Sequence, residues 1–165
     1  MSATLLRPGL LADSTVAAGG ASAAACAQAG ATIADDGRGR VDTLVVDAAQ
    51  AFGEGGAGGL RAAVDGAWST VLAVASDRWL VDDAAAGGKI VLLAPRADAG
   101  EHAAAAGAAL ESVARTLAVE WARFGVRATV VVPGPRTSEH DVGALVAFLA
   151  SAAGDYFSGC RFTLR

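Results

Sequence analysis

A chain of 165 residues with a net charge of −4 is long enough to build a buried core without disulfides or metals. Hydrophobic residues make up 53% and charged residues 18%, against about 25% charged in ordinary soluble domains, which excludes a disordered chain. The acidic balance argues against nucleic-acid binding, which needs a basic face. The two cysteines, Cys26 and Cys160, are too few for a disulfide framework and lack metal-ligand spacing, so a reducing cytoplasm is the expected location.

The apolar composition raises the question of a membrane segment. Ser14–Ala34 carries no charge and has about the length of a membrane span. It consists mostly of small residues, which are too weakly apolar for a spanning helix. The sequence therefore predicts no membrane contact, and its low charge is better explained by a surface buried against another subunit.

The first part of the chain predicts short strands around one helix. An apolar stretch near Thr15–Ala18 leads through glycines to a helix over Ala23–Ala29. Ala31–Ala34 is either a short edge strand or an extended loop. After the polar loop Asp35–Arg40, the apolar run Val41–Asp47 is typical of a strand buried on both faces.

The rest of the chain alternates helices with strands. After a glycine-rich loop, the predicted elements are a helix with a break at Gly66, a strand, a long helix, a strand, a helix and a short strand. The loop is predicted over Phe52–Gly59. The helices are predicted over Leu60–Asp82, Glu101–Phe124 and Asp141–Ala152, and the strands over Lys89–Leu93, Arg127–Val132 and Arg161–Leu164. The apolar face of the first of these helices is predicted at Leu60, Val64, Trp68, Leu72 and Trp79. This alternation predicts one α/β domain over residues 1–165, with a mainly parallel sheet.

Five segments, in chain order, resemble the short-chain dehydrogenase/reductase superfamily. The most specific is Leu110–Gly134 with the preceding alanines, which reads ALESVARTLAVEWARFGVRATVVVPG. The others read VAAGGASAAACAQAGATI, VDTLVVDAA, GGKIVLLAP and DVGALVAFLASAAGDYFSG. The resemblance implies a Rossmann-type parallel sheet with helices on both faces, assembled as dimers or tetramers.

The resemblance also locates the family's chemistry, and this chain lacks it. The family's tyrosine and lysine fall at Ala103 and Gly107, its serine at Pro95 and its asparagine near Ala75. In the family the lysine lowers the phenol pKa and holds the nicotinamide ribose. Without these side chains, the sequence predicts no proton donor, carbonyl partner or ribose clamp.

The family's phosphate loop is altered in the same direction. Gly19 is retained, but the next two glycine positions hold Ala23 and Ala25, where a Cβ is expected to block backbone approach to a pyrophosphate. Asp35 or Asp36 could still hold an adenosine ribose, although solvated acidic residues are the more usual interpretation. We therefore expect no cofactor in this chain, and NAD or NADP only in an active partner.

Two internal stretches are too short for the family's full fold. Only Gly37–Arg40 separate Asp36 from Val41, whereas a parallel crossover needs about a dozen residues. The family's next strand and helix are therefore predicted to be missing. Pro133-Gly134 runs almost directly into the last helix, so the substrate lid is predicted to be missing too.

Three functional hypotheses remain open on the sequence alone. The first is a non-catalytic subunit that stabilises a hetero-oligomer with an active homologue, paired through the two long helices. Its predicted interface has Leu117 and Trp121 as first anchors, with Trp68, Leu72, Ala105 and Ala109. The second is a self-contained enzyme acting through Asp47 or His102, although a cap or solvated residue is the more usual role for either. The third is a homo-oligomer that binds a small ligand.

Overall fold

A computed structural model of the chain describes residues 6–34, 39–81 and 87–165. The strands are β1 (Thr15–Ala17), β2 (Thr32–Ile33), β3 (Thr43–Asp47), β4 (Lys89–Leu93), β5 (Arg127–Val132) and β6 (Cys160–Thr163). The α-helices are α1 (Gly20–Gln28), α2 (Ala48–Phe52), α3 (Gly56–Arg78), α4 (Ala103–Glu120) and α5 (Glu139–Ala150). Short 3₁₀ turns at Ala122–Phe124 and Ala152–Tyr156 follow α4 and α5.

The strands form one parallel sheet in the order β2-β1-β3-β4-β5-β6. In the centre, Leu44 pairs with Ile90, and Ile90 pairs with Ala128. The predicted α/β class with a parallel sheet is confirmed. The order in which strands are added reverses after β2, because β2 lies on one side of β1 and β3 lies on the other.

Successive residues of the central strands enter two separate cores. Leu44 and Val46 pack with α3 and α4, whereas Val45 packs with α1 and α5. Because both faces of the sheet are covered, β3 and β4 are nearly continuous apolar runs. This is why the sequence locates them without an alternating pattern.

The sheet is smaller than the family's, as predicted. Ala31–Ala34 contains a true but minimal strand, β2, with two residues paired to β1. Among the described residues, neither a strand nor a helix lies between Ile33 and Thr43; residues 35–38 lie outside them. Val132 and Glu139 are joined by six residues without a helix, which agrees with the predicted lack of a lid.

The predicted loop over Phe52–Gly59 is confirmed only at Gly53–Gly55 and is wrong at both ends. Phe52 ends α2 and is buried in the core, and α3 already begins at Gly56. Asp47 caps α2 by accepting hydrogen bonds from the amides of Ala49 and Gln50 at 3.1 and 3.3 Å. A capped helix of five residues is too short to show helical periodicity.

The predicted apolar face of α3 differs from the side of the helix that packs on the sheet. The residues that pack on the sheet are mostly small: Ala63, Ala67, Val71 and Ala75. Trp68 and Leu72 are 41% and 38% exposed, and Leu60 and Val64 are half-buried. Trp79 is buried as predicted, and its Nε1 donates to the carbonyl oxygen of Val41 at 2.9 Å. Close helix–sheet packing therefore uses the alanines and leaves the larger side chains facing outward.

Helix α3 continues through Gly66 without the predicted break. Gly66 is exposed, and a Cβ built on it meets no atom within 4 Å. We expect Gly66→Ala to raise the free energy of unfolding by about 0.5–1 kcal/mol, because alanine loses less backbone entropy in a helix. Urea denaturation followed by circular dichroism measures this change. A destabilised variant would show that the glycine has a packing role.

Candidate functional site

A cleft of about 370 Å³ lies at the carboxyl ends of the strands. It lies where the strand order reverses, between β1 and β3, which is the usual position of a ligand crevice in doubly wound folds. Residues that follow β1, β3, β4 and β5 line it, together with the first turns of α1 and α5. They are Gly19, Gly20, Ala21, Ser22, Asp47, Ala49, Leu93, Ala94, Arg96, Pro133, Thr137, Glu139 and Val142.

Three charged side chains line this cleft, which we call the strand-end cleft. Arg96 is held by a 3.0 Å hydrogen bond from Nη1 to the carbonyl oxygen of Thr137. The Thr137 hydroxyl in turn accepts from the amide of Gly134 at 2.9 Å, which fixes the loop after β5. Asp47 and Glu139 bring two carboxylates, so the charged side chains of the cleft sum to −1.

The start of α5, which carries Glu139, is fixed by a capping box. The amide of Asp141 donates to Oγ of Ser138 at 3.1 Å, and the amide of Ser138 donates to Oδ2 of Asp141 at 3.3 Å. The Ser138 hydroxyl also donates to Asp141 Oδ2 at 2.7 Å. This hydrogen bond lowers the pKa of the Asp141 carboxyl. Glu139 therefore projects from a helix end whose backbone position is well defined.

The four positions to which the resemblance assigns the family's chemistry are all buried. Ala75 and Ala103 lie in the core with residues of α3, α4 and the sheet, and Pro95 and Gly107 are buried as well. A Cβ built on Gly107 would lie 3.9 Å from that of Ala94, just after β4. None of the four residues has a polar side chain.

The phosphate-loop positions differ from the expectation. Gly19 and Gly20 line the strand-end cleft, but Ala23 and Ala25 do not. Helix α1 begins at Gly20 rather than Ala23, so these residues already belong to its first turns. A Cβ built on Gly143 would lie 2.8 Å from that of Ala25. Ala25 therefore packs against α5, which corrects the prediction that its Cβ projects toward a phosphate.

A nicotinamide dinucleotide is the cofactor that the resemblance implies. The residues at the positions of the ribose clamp are apolar, and Asp47 and Glu139 line the cleft in which a doubly negative pyrophosphate would have to lie. Their negative charges disfavour a pyrophosphate in that cleft. The residues therefore do not fit the cofactor. Asp35 and Asp36, the candidates for the adenosine ribose, lie outside the described residues.

The structure does not bring Asp47 and His102 together in one site. Asp47 lines the cleft, where its Oδ1 caps α2. His102 is exposed at the start of α4 and has a left-handed φ of 69°. Its Nε2 lies 3.5 Å from Oε1 of Glu101. It is not among the residues that line the strand-end cleft. Its position at a helix start agrees with the non-catalytic interpretation.

The predicted interface residues fall into two groups. Trp68, Leu72 and Ala105 are exposed and Ala109 is half-buried, so they are available to a partner. Leu117, in contrast, is completely buried in its own core, which rules it out as an anchor. Position 117 belongs to the side of α4 that faces the sheet.

Two further observations define an outward apolar surface. Trp121 is largely buried, and its ring lies 6.3 Å from that of Trp68, centre to centre. Val119, which the sequence analysis did not single out, is 79% exposed on the last turn of α4. We call the outward side of α3 and α4, with Trp68, Leu72, Ala105 and Val119, the α3/α4 face.

Sequence reasoning missed Arg96, Thr137 and Glu139 as cleft residues. The available signal was their position, since Arg96 comes three residues after β4 and the other two come shortly after β5. In parallel sheets such positions meet at one edge.

Among the described residues, no group of three or more His, Cys, Asp and Glu side chains could hold a metal ion. No helix in the described ranges is both long and apolar enough to cross a membrane.

Comparisons with known proteins agree on the fold. No family model matches the chain, and no curated protein matches it in sequence. Among solved structures, it is similar to a citronellol catabolism dehydrogenase, AtuB, from Pseudomonas aeruginosa PAO1. The TM-score is 0.76 at 21% identity, over 98% of this chain and 97% of the other.

Two other solved structures are similar over about three quarters of the chain. One is an oxidoreductase of the short-chain dehydrogenase/reductase family from Burkholderia thailandensis, with a TM-score of 0.59 and 25% identity. The other is a hydroxysteroid dehydrogenase from Escherichia coli, with a TM-score of 0.61 and 19% identity. Each alignment covers 76% of this chain and 64% of the other. With its parallel sheet and helices on both faces, the chain has the fold of the short-chain dehydrogenase/reductase (SDR) superfamily.

Proposed function

We propose that this chain is a non-catalytic, SDR-like subunit that completes or stabilises a heterodimer or heterotetramer with an active homologue. The reaction, and the NAD or NADP that it needs, would belong to the partner. One observation carries the proposal: Ala75, Pro95, Ala103 and Gly107 are buried core residues at the positions of the chemistry. The chain retains the fold, whereas small buried residues stand where the family has the side chains that act on a substrate.

The α3/α4 face supports association with a partner. It exposes Trp68, Leu72 and Val119 on two long neighbouring helices. Apolar side chains grouped in this way are typical of a subunit contact, and aromatic residues are enriched among interface anchors. A specific contact buries upwards of about 1,000 Å². Trp68, supported from behind by Trp121, replaces Leu117 as the expected anchor.

A stand-alone enzyme is less well supported. Asp47 already accepts two backbone hydrogen bonds, and His102 does not line the same cleft. General acid–base chemistry needs such groups within reach of one substrate. The described residues do not offer that arrangement.

We expect the isolated chain to bind neither NAD nor NADP. Calorimetric titration should give no binding heat at cofactor concentrations that saturate an intact dehydrogenase, which is the positive control. The double variant Ala103→Tyr/Gly107→Lys should remain inactive toward alcohols and ketones. Because Ala103 is buried, the tyrosine should also cost about 1–3 kcal/mol through overpacking. Micromolar cofactor binding by the unaltered chain would contradict the proposal.

The decisive experiment is co-expression with an intact dehydrogenase-like homologue from the same source. Light scattering of the purified sample should give the mass of a mixed oligomer, and mass spectrometry should find both chains in it. The homologue expressed alone is the control for activity and thermal stability. A stable monomer that associates with no such homologue would overturn the proposal.

A further inference from the structure

The strand-end cleft carries charges of both signs around an apolar floor, and neither the family's chemistry nor a subunit contact explains them. We propose that it binds a small zwitterion of the α-amino acid class with an aliphatic side chain. This binding function is separate from the proposed partner contact, which lies on the α3/α4 face. Each can fail without the other.

Arg96 provides the carboxylate end of the site. Its Nη1 is held 3.0 Å from the carbonyl oxygen of Thr137, and its side chain is about one third exposed. Nε lies 3.7 Å from Oδ1 of Asp98, whereas Nη2 makes no hydrogen bond or ion pair with the described residues. A guanidinium fixed in this way pairs well with a carboxylate, because its planar donors match the two oxygens.

Asp47 and Glu139 provide the ammonium end. Oδ1 of Asp47 accepts from Ala49 and Gln50, and its Oδ2 has no partner among the described residues. Glu139 likewise makes no hydrogen bond or ion pair within the described ranges, although it lines the cleft. Both carboxylates accept hydrogen bonds only, which suits an ammonium group with three donors.

The remaining lining is apolar and small. It includes Leu93, Ala94, Pro133 and Val142, and the whole cleft has a volume of about 370 Å³. That volume is at the lower end of the range for ligand pockets. A cleft of this size suits a small molecule better than a dinucleotide. The side-chain charge of −1 disfavours polyanions but accepts a ligand whose own charges cancel. L-Leucine, an aliphatic α-amino acid, is therefore a suitable probe.

The test compares L-leucine with two analogues that each lack one charge. 3-Methylbutylamine has no carboxylate, and 4-methylpentanoate has no ammonium group. Titration followed by amide NMR shifts should show L-leucine binding at least tenfold more tightly than either analogue. The shifts should concentrate in residues 19–22, 93–96 and 133–142. Absence of L-leucine binding at millimolar concentrations, or equal binding of all three compounds, would overturn the proposal.

Two variants separate the ends of the site. Arg96→Gln should weaken binding of L-leucine and 4-methylpentanoate at least tenfold but leave the amine unchanged. Glu139→Gln should weaken L-leucine and the amine but leave the acid unchanged. Arg123→Gln, an exposed arginine beside Phe124, is the matched control and should change nothing. If both cleft variants keep their folded circular dichroism spectrum and bind L-leucine as before, the site assignment is wrong.

Discussion

Gly88→Ala should lower the free energy of unfolding by about 3 kcal/mol, because overpacking a rigid aromatic core is costly. A Cβ built on Gly88 would lie 2.0 Å from Cε2 of the Trp79 indole. The indole has little room to move, since it is buried and donates to the carbonyl oxygen of Val41. Thermal and urea denaturation, followed by far-ultraviolet circular dichroism, measure the loss.

A double-mutant cycle makes this prediction specific. Trp79→Leu removes Cε2 and Cζ2 of the indole, two of the three atoms nearest to a Cβ on Gly88, so Gly88→Ala should cost clearly less in that background. Gly66→Ala, where nothing lies within 4 Å of the added Cβ, is the matched control. If Gly88→Ala costs the same with tryptophan and with leucine at position 79, the clash with Trp79 is not its cause.

Leu72→Glu should weaken association with the partner by about 3 kcal/mol, which corresponds to about a hundredfold in Kd. The carboxylate would lose its water on the α3/α4 face without a cation to pair with. Ala105→Glu should act in the same direction from α4. Leu72 and Ala105 are both exposed in this chain, so neither change should disturb its own core. Sedimentation of mixtures of the two purified subunits measures the dissociation constant.

Ala24→Glu is the control for this experiment. Ala24 is exposed on α1, which packs on the opposite side of the sheet from α3 and α4. It should therefore leave association unchanged. Equal effects at positions 72 and 24 would mean that added charge acts generally and that the α3/α4 face is not the contact.

The sequence was sufficient to predict the strands, most of the helices and the reduced sheet. Strands β3, β4 and β5 are continuous apolar runs because the sheet is covered on both faces. The short links after Ile33 and after Val132 exclude extra elements by length alone. Helix α2 was missed because five residues show no periodicity, and its cap at Asp47 resembles an ordinary strand end.

The orientation of α3 and the make-up of the cleft could not be predicted in the same way. Periodicity placed Trp68 and Leu72 on one apolar face of the helix, but it did not show which side of the helix meets the sheet. The fold instead packs Ala63 and Ala67 on the sheet, since small side chains allow a close approach. Arg96 and Glu139 are 43 positions apart and meet only because parallel strands end at one edge. That juxtaposition is a property of the sheet order, which no local pattern contains.

The contact between Ala25 and Gly143 has a consequence for the history of the sequence. Position 143 tolerates no larger residue while position 25 carries a Cβ, because a Cβ at both would leave only 2.8 Å between them. The two positions should therefore covary among homologues. Where residue 25 carries a side chain, residue 143 is expected to be glycine. Alanine at 143 is expected only with glycine at 25, and it also needs a small shift of α1, because the added Cβ would lie 3.2 Å from the carbonyl oxygen of Ala21.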